Sequence, residues 1–238
     1  MKDKRVFFNP LRMLSPKLDS EAAKIDELHL IPVSEAFTLE EGLVVMLSKL
    51  IEMTRLLEIG FIKNCPEEIE ACDQLADDVH RQETLLTGNL ACSVDIPPEL
   101  CKLIIIFPGH LERVGDFLQS VLNCVRIKCR EDVPFGDNAY EEIQKMFGDT
   151  IDLMSNFRDA LIAPNKFLLE YVISQQAVLD QKCQDWQLAH IDRLLDGSAS
   201  PRSSSLYLDI TESTQGVIRH IKEMAMRMLT LMSTQAEV

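Results

Sequence analysis

Residues 41–52 read EGLVVMLSKLIE, and a hundred residues later residues 141–152 read EEIQKMFGDTID. Glu41 falls on Glu141, Met46 on Met146, Ile51 on Ile151 and Glu52 on Asp152. The same offset carries Ile62 onto Ile162, Glu70 onto Glu170, Val79 onto Leu179 and Glu112 onto Glu212, with no change of register. A repeat held in register over that span specifies two copies of one supersecondary unit before any residue is given a role.

Each copy reads as three helices. Thr38-Leu39-Glu40-Glu41 is an N-cap with an acid three residues on, and the stripe Leu43, Met46, Leu50, Met53, Leu57 runs from it to an end expected between Gly60 and Asn64. Pro66 suits the first turn of a second helix, where Glu67, Glu68 and Glu70 meet its positive end. Its inward positions step by three and four through Ile69, Cys72, Ala76, Val79, Glu83, Leu86 and Leu90. Glu83 therefore stands where a hydrophobe belongs, and must be paired, protonated, bound to a cation or placed at a bundle end. After Pro97-Pro98 a third helix is expected from Leu100 to Val125, kinked or interrupted by Pro108-Gly109 one turn before Glu112.

The turn-forming run from Glu131 to Asn138 separates the copies. The second copy should place helices at Tyr140–Leu161, about Pro164–Leu195, and Ser205 to the C-terminus, with Asp196–Ser204 as a flexible, exposed connection. The expected organisation is an N-terminal arm at 1–37, a first three-helix repeat at 38–130 and a second, degenerate one at 138–238. The fold class is all-α, two tandem up-down-up bundles related by the repeat.

Composition agrees, with 46% hydrophobic residues, 6% aromatics and only 9 glycines in 238 residues. A net charge of −14 argues against binding nucleic acid through a basic face. Val6-Phe7-Phe8 is cut short by Asn9-Pro10, so no signal peptide is read, and the longest apolar run, Leu103–Phe107, is too short to span a bilayer. A soluble, cytoplasmic chain is expected, with peripheral membrane contact only. The arm carries five basic residues in its first seventeen and is broken by Pro10, Pro16 and Pro32, so it either folds back over the bundle or docks on an anionic membrane or partner. Seven cysteines with no CxxC pair read as reduced, half-buried helix residues.

One compact polar motif stands out, Glu112-Arg113-Val114-Gly115-Asp116. Four residues apart on a helix, Glu112 and Asp116 lie on one face and repel unless something positive sits between them. Oxygen donors at that spacing suit hard or borderline cations, and Gly115 removes a side chain that would crowd the approach. The alternative is a structural ion pair, with Asp116 held by Arg81 or Arg126. His110, His190 and His220 read as partly exposed helix histidines. No nucleophile framed by His and Asp is present, nor is a GxxxxGK[ST] or GxGxxG loop, so hydrolase and nucleotide-binding classes lack their machinery.

The two-copy, three-helix repeat with His110-Leu111-Glu112-Arg113-Val114-Gly115-Asp116-Phe117 on a third helix resembles the PhoU family of phosphate-uptake regulators, whose third helices carry an LERxGD motif. The likeness runs from about Thr38 to Met228. Val79-His80 followed by Glu83 is similar to the family's second-helix pattern, as are Leu179-Asp180 and Glu212 in the second copy. The resemblance implies a cytoplasmic helical regulator, not an enzyme, that contacts a phosphate transporter and/or a sensor histidine kinase and silences the phosphate-starvation response when phosphate is plentiful. It also implies a divalent metal, iron or zinc, for which Glu112, Asp116, Glu83 and His80 are the candidate ligands, and it leaves room for a homodimer. The second motif, Glu212-Ser213-Thr214-Gln215-Gly216, lacks the arginine and final aspartate, and Lys182 and Cys183 stand near positions where acids belong, so the first half is the one expected to be chemically equipped. Two other readings remain: a PhoU-like cytoplasmic domain or accessory protein of a phosphate transporter, and a metal-dependent helical enzyme built on the same four residues.

Overall fold

A computed structural model describes residues 39–64, 66–92 and 105–235. The N-terminal arm, the Thr38 cap, the Pro97-Pro98 loop and the expected helical start at Leu100 lie outside the described residues. Within them there are six α-helices and no strand: α1 Leu39–Lys63, α2 Pro66–Cys92, α3 Phe107–Glu131, α4 Asp137–Ile162, α5 Lys166–Leu195 and α6 Pro201–Gln235. None is long and apolar enough to cross a membrane.

Local chemistry sets the helix ends. α1 stops at Asn64, whose φ of 52° lies in the left-handed region that asparagine tolerates. Pro66 opens α2 as expected. Pro108 follows a turn at residues 105–106 and sits in the first turn of α3, so the described chain is interrupted there and not kinked, and the proline's missing N–H would have had no partner. Asn165 caps α5 by accepting from the amides of Phe167 at 2.9 Å and Leu168 at 3.3 Å. The Asp196–Ser204 connection is shorter than expected, because Ser200 Oγ accepts from the Ser203 amide at 3.1 Å, α6 starts at Pro201, and Ser203 and Ser204 are buried.

The first three helices pack on one another, as do the last three, and α1 packs on α4 while α3 packs on α6. Four helices, α1, α3, α6 and α4, thus form a closed ring, with α2 flanking the first half and α5 the second. The expected stripe of α1 is buried, and so are Leu47, Ile51 and Phe61 on a second face, because α1 must meet α2, α3 and α4 together. Burying side chains of that size contributes about 1.5–3 kcal/mol each relative to exposure.

Two contacts join the halves. At α1–α4, Phe61 stands edge-on to Phe147, ring centroids 6.4 Å apart, and touches Tyr140 at 5.1 Å. Lys128 of α3 is buried over this cluster, its Nζ 4.8 Å from the Phe61 ring and 5.2 Å from Tyr140, and donates to the Asn64 side-chain oxygen. At α3–α6, Phe117 lies flat on Gly216, where a Cβ would meet its ring at 2.5 Å. The glycine that replaces the second motif's acid is therefore a close-approach site for the first motif's phenylalanine.

Beside it His110 and His220 face each other, Nδ1 to Nδ1 at 2.8 Å, so one ring must donate and the other accept. Burial holds both below the ordinary 6.5; Arg227 adds to this at His110, while His110, Arg113 and Arg219 add to it at His220, and Glu223 opposes at both.

Burial raises the thiols of the described cysteines Cys72, Cys124, Cys129 and Cys183, Cys72 and Cys183 to about 12. Inert thiols of this kind match the sequence reading, apart from Cys72, Cys124 and Cys183 being buried outright.

Two measurements check the seam. Gly216→Ala should destabilise by about 1 kcal/mol in urea unfolding despite alanine's better helix propensity, and Phe117→Ala should remove most of that penalty when the two are combined. Because both histidines are depressed, the unfolded chain takes up their protons first, so stability should be lost as pH falls below about 6.5. The His110→Gln, His220→Gln variant should lose less between pH 8 and pH 5.

Candidate functional site

α2 and α3 run antiparallel, since Asp73 pairs with Arg126 at one end and His80 with Glu112 at the other. That register places His80, Glu112 and Asp116 around one cleft of about 160 Å³, floored by Val79 and Gly115 and rimmed by Asp77 and Gln119. His80 Nδ1 lies 2.7 Å from Glu112 Oε1, with the imidazole 68% and the carboxylate 33% exposed. Asp116 is on the exposed rim, yet partial burial and the neighbouring Glu112 raise its pKa, against Arg113 and His80, which lower it. A methyl at Gly115 would stand 3.6 Å from Leu50 and 3.7 Å from Val79, in ordinary contact, so this glycine faces the core as well as the cleft.

The arginines expected to hold Asp116 are engaged elsewhere. Arg81 pairs with Asp78, which also takes Lys49 at 2.7 Å, and Arg126 pairs with Asp73. Glu83 turns along its own helix, accepting from Thr87 Oγ1 at 2.8 Å and Thr84 Oγ1 at 3.5 Å, and does not line the cleft. Half-buried and served by two hydroxyls, it reconciles a core position with a carboxylate without an ion. Among the described residues no three His, Cys, Asp or Glu side chains converge closely enough to hold one metal ion. His80 and Glu112 satisfy each other instead, so the set does not fit a resident ion in this arrangement.

The second half holds a different chemistry at the offset positions. Asp180, the counterpart of His80, accepts from Gln215 at 2.9 Å and Gln184 at 3.2 Å. An amide–carboxylate bond thus replaces the imidazole–carboxylate pair. The α4–α5 cleft beside it, about 240 Å³, is lined by Asp149, Asp152, Tyr171, Val178 and Lys182.

Sequence reasoning missed the second half's buried network. His190, expected at the surface, is 1% exposed, stacked on Tyr207 at 3.9 Å and within 3.0 Å of Ser204 Oγ. Arg193 grips Glu142 with two bonds of 3.0 and 2.6 Å, and Tyr207 donates to the same carboxylate at 2.5 Å. This network ties α4, α5 and α6 together. The i, i+3 spacing of His190 and Arg193, one face of one helix, was the signal available for it.

Among solved structures, the chain is similar to the phosphate transport system regulatory protein PhoU from Streptococcus pneumoniae, with a TM-score of 0.73 and 15% identity over 88% of this chain and 97% of that one. It is also similar to PhoU from Pseudomonas aeruginosa, with a TM-score of 0.71 and 15% identity over 91% of this chain and 99% of that one. No protein-family model matches the sequence, and no curated protein matches it either. The chain therefore has the PhoU fold along nearly its whole length, at an identity where likeness is carried by the fold and not by the residues.

Asp116 supplies a direct test of the cleft's electrostatics. Its pKa is raised in the folded chain, so ionising it costs stability as pH rises from the ordinary 3.8 through the folded value. Asp116→Asn should therefore be more stable than wild type at pH 7, by under about 1 kcal/mol at so exposed a site, and the difference should vanish below pH 3.8.

Proposed function

We propose that the chain is a cytoplasmic regulator of phosphate uptake and phosphate-starvation signalling, acting by contact with a phosphate transporter and/or sensor histidine kinase through the His80–Glu112–Asp116 face. The observation that carries this reading is the asymmetry of the repeat. An ionisable pair at 2.7 Å beside a carboxylate with a raised pKa is built in one half only, on a fold shared with a phosphate transport system regulatory protein. Exposed, mutually paired charges of this kind change partner at little cost, which suits a surface that engages and releases another protein. The cleft positions no nucleophile, and the reading assigns it no catalysis.

The test is the Glu112→Ala, Asp116→Ala variant. Two solvated charges give way to two good helix formers, so stability should change by no more than about 1 kcal/mol. Phosphate-starvation genes should nevertheless be switched on in phosphate-rich medium, while Glu212→Ala with Asp180→Ala is tolerated better. A response that stays silent in the first variant, with the protein folded and at normal level, would rule this face out as the regulatory surface.

A further inference from the structure

The outer face of α5 is an apolar seam that no helix of the described chain covers. Leu169, Val172, Leu179 and Cys183 turn inward and are buried. On the opposite side, positions 167, 171, 174, 178, 181, 185, 188, 192 and 195 step alternately by four and three, the spacing of a coiled-coil seam. Phe167, Tyr171, Val178, Leu188 and Leu195 occupy five of these positions and are 80%, 48%, 49%, 63% and 80% exposed. With Ile191, α5 carries six of the nine large hydrophobic side chains exposed among the described residues, and α2, its counterpart in the first half, carries none. A concentration of that kind on one helix marks an interaction surface.

The remaining seam positions say what chemistry it takes. Asp185 and Asp192 lie among the hydrophobes, and no ion pair reaches either among the described residues; Asp185 is met only by the Gln181 amide at 2.9 Å. Alongside runs the α4–α5 cleft, whose wall includes Tyr171 and Val178 of the seam and whose carboxylates are Asp149 and Asp152. Asp149 already holds Lys145 at 3.2 Å and Lys182 at 3.1 Å, whereas Asp152 is exposed and has no ion pair among the described residues. About 240 Å³ of open cleft ending at a free carboxylate has room for one long cationic side chain. A hydrophobic stripe interrupted and edged by unpaired acids complements an amphipathic helix bearing lysine or arginine.

We propose that the outer face of α5 docks a basic amphipathic helix of a partner protein, its apolar side along Phe167 to Leu195 and its cations against Asp152, Asp185 and Asp192. The seam lies on a different helix and in the other half from the His80–Glu112 face, and it does not depend on a role in phosphate control.

The experiment uses the full chain and a fluorescent synthetic helix of about four heptads, leucine along one side and lysine flanking it, followed by anisotropy. Binding is expected at roughly micromolar Kd and should weaken with salt. Val178→Asp with Leu188→Asp should weaken it by about tenfold or more, and Asp185→Asn with Asp192→Asn should weaken it and flatten the salt dependence. Asp73→Asn with Asp77→Asn on α2 should leave it unchanged, as should Glu112→Ala with Asp116→Ala, which separates this surface from the regulatory face. Because the seam side chains are exposed, circular dichroism of the variants should match wild type. Equal affinity for a glutamate-flanked helix, or equal affinity of the α5 variants, would overturn the proposal. A chain whose dimer is dissociated by Val178→Asp with Leu188→Asp in sedimentation would assign the seam to a second copy, and binding to anionic vesicles that those substitutions abolish would assign it to a membrane; either result also overturns it.

Discussion

Neither three-helix half can bury its own apolar surface, and everything else in the molecule follows from that. α1 is apolar toward α2 and α3 and again toward α4, while α6 is apolar toward α4 and α5 and again toward α3. Separating the halves would expose Phe61, Phe147 and Phe117, at about 1.5–3 kcal/mol for each large side chain returned to water. A domain is stable by only about 5–15 kcal/mol, so a few such exposures outweigh it. The described residues of the repeat therefore form one compact unit, although its sequence is written as two. The ring also explains the placement of chemistry: the four ring helices are committed to packing, and among the described residues α2 and α5 are the helices left with a whole face free.

The two free helices have been used in opposite ways. α2 presents Asp73, Asp77, His80 and Arg81 to solvent, where Asp73 and His80 pair across to α3 and Arg81 pairs within the helix. α5 presents phenylalanine, tyrosine and leucine, and among the described residues no ion pair reaches Asp185 or Asp192 between them. Divergence after duplication gives this outcome when the shared constraint acts only on the inner faces. The hundred-residue register survives at Met46 and Met146 and at Ile51 and Ile151, which are buried or half-buried, while His80 and Asp180, half-exposed or exposed, have taken different partners.

The fold was legible in the sequence because its signals are periodic and redundant. The stripe Leu43 to Leu57 and Pro66 at a helix start both agree with the packing. Pro108 could be placed only as a kink or an interruption, because the same residue either breaks a helix or opens one, and the structure shows it opening α3 after a turn. Ser203 and Ser204 were read as a flexible linker because serine-rich composition carries no information about burial. In the site, His80 and Glu112 meet because two helices share a register, which spacing along one helix cannot show. Glu83 was correctly marked as anomalous for a core position, but its partners, Thr84 and Thr87, are short-range hydroxyls that look unremarkable in a string. Lys128 and His190 left the weakest trace, since a lysine among aromatics and a histidine stacked on tyrosine look like surface residues until the rings are in place.

Polar groups in this protein divide by what their surroundings let them do. In the second half, Glu142, Arg193, Tyr207 and His190 are enclosed; burial and the Glu142 carboxylate push the Tyr207 hydroxyl up, and burial with the Arg193 charge pulls His190 down. Breaking one member there would leave the others buried and unpaired, so the network can hold helices together but cannot exchange partners. Around His80 the same kinds of group are wet, and a lost bond is replaced by water at small cost. A surface that must bind and release needs groups of the second kind, held in register by groups of the first. The enclosed network steadies α4, α5 and α6, the α3–α6 seam carries that rigidity to α3, and α3 holds Glu112 and Asp116 at a fixed height opposite His80.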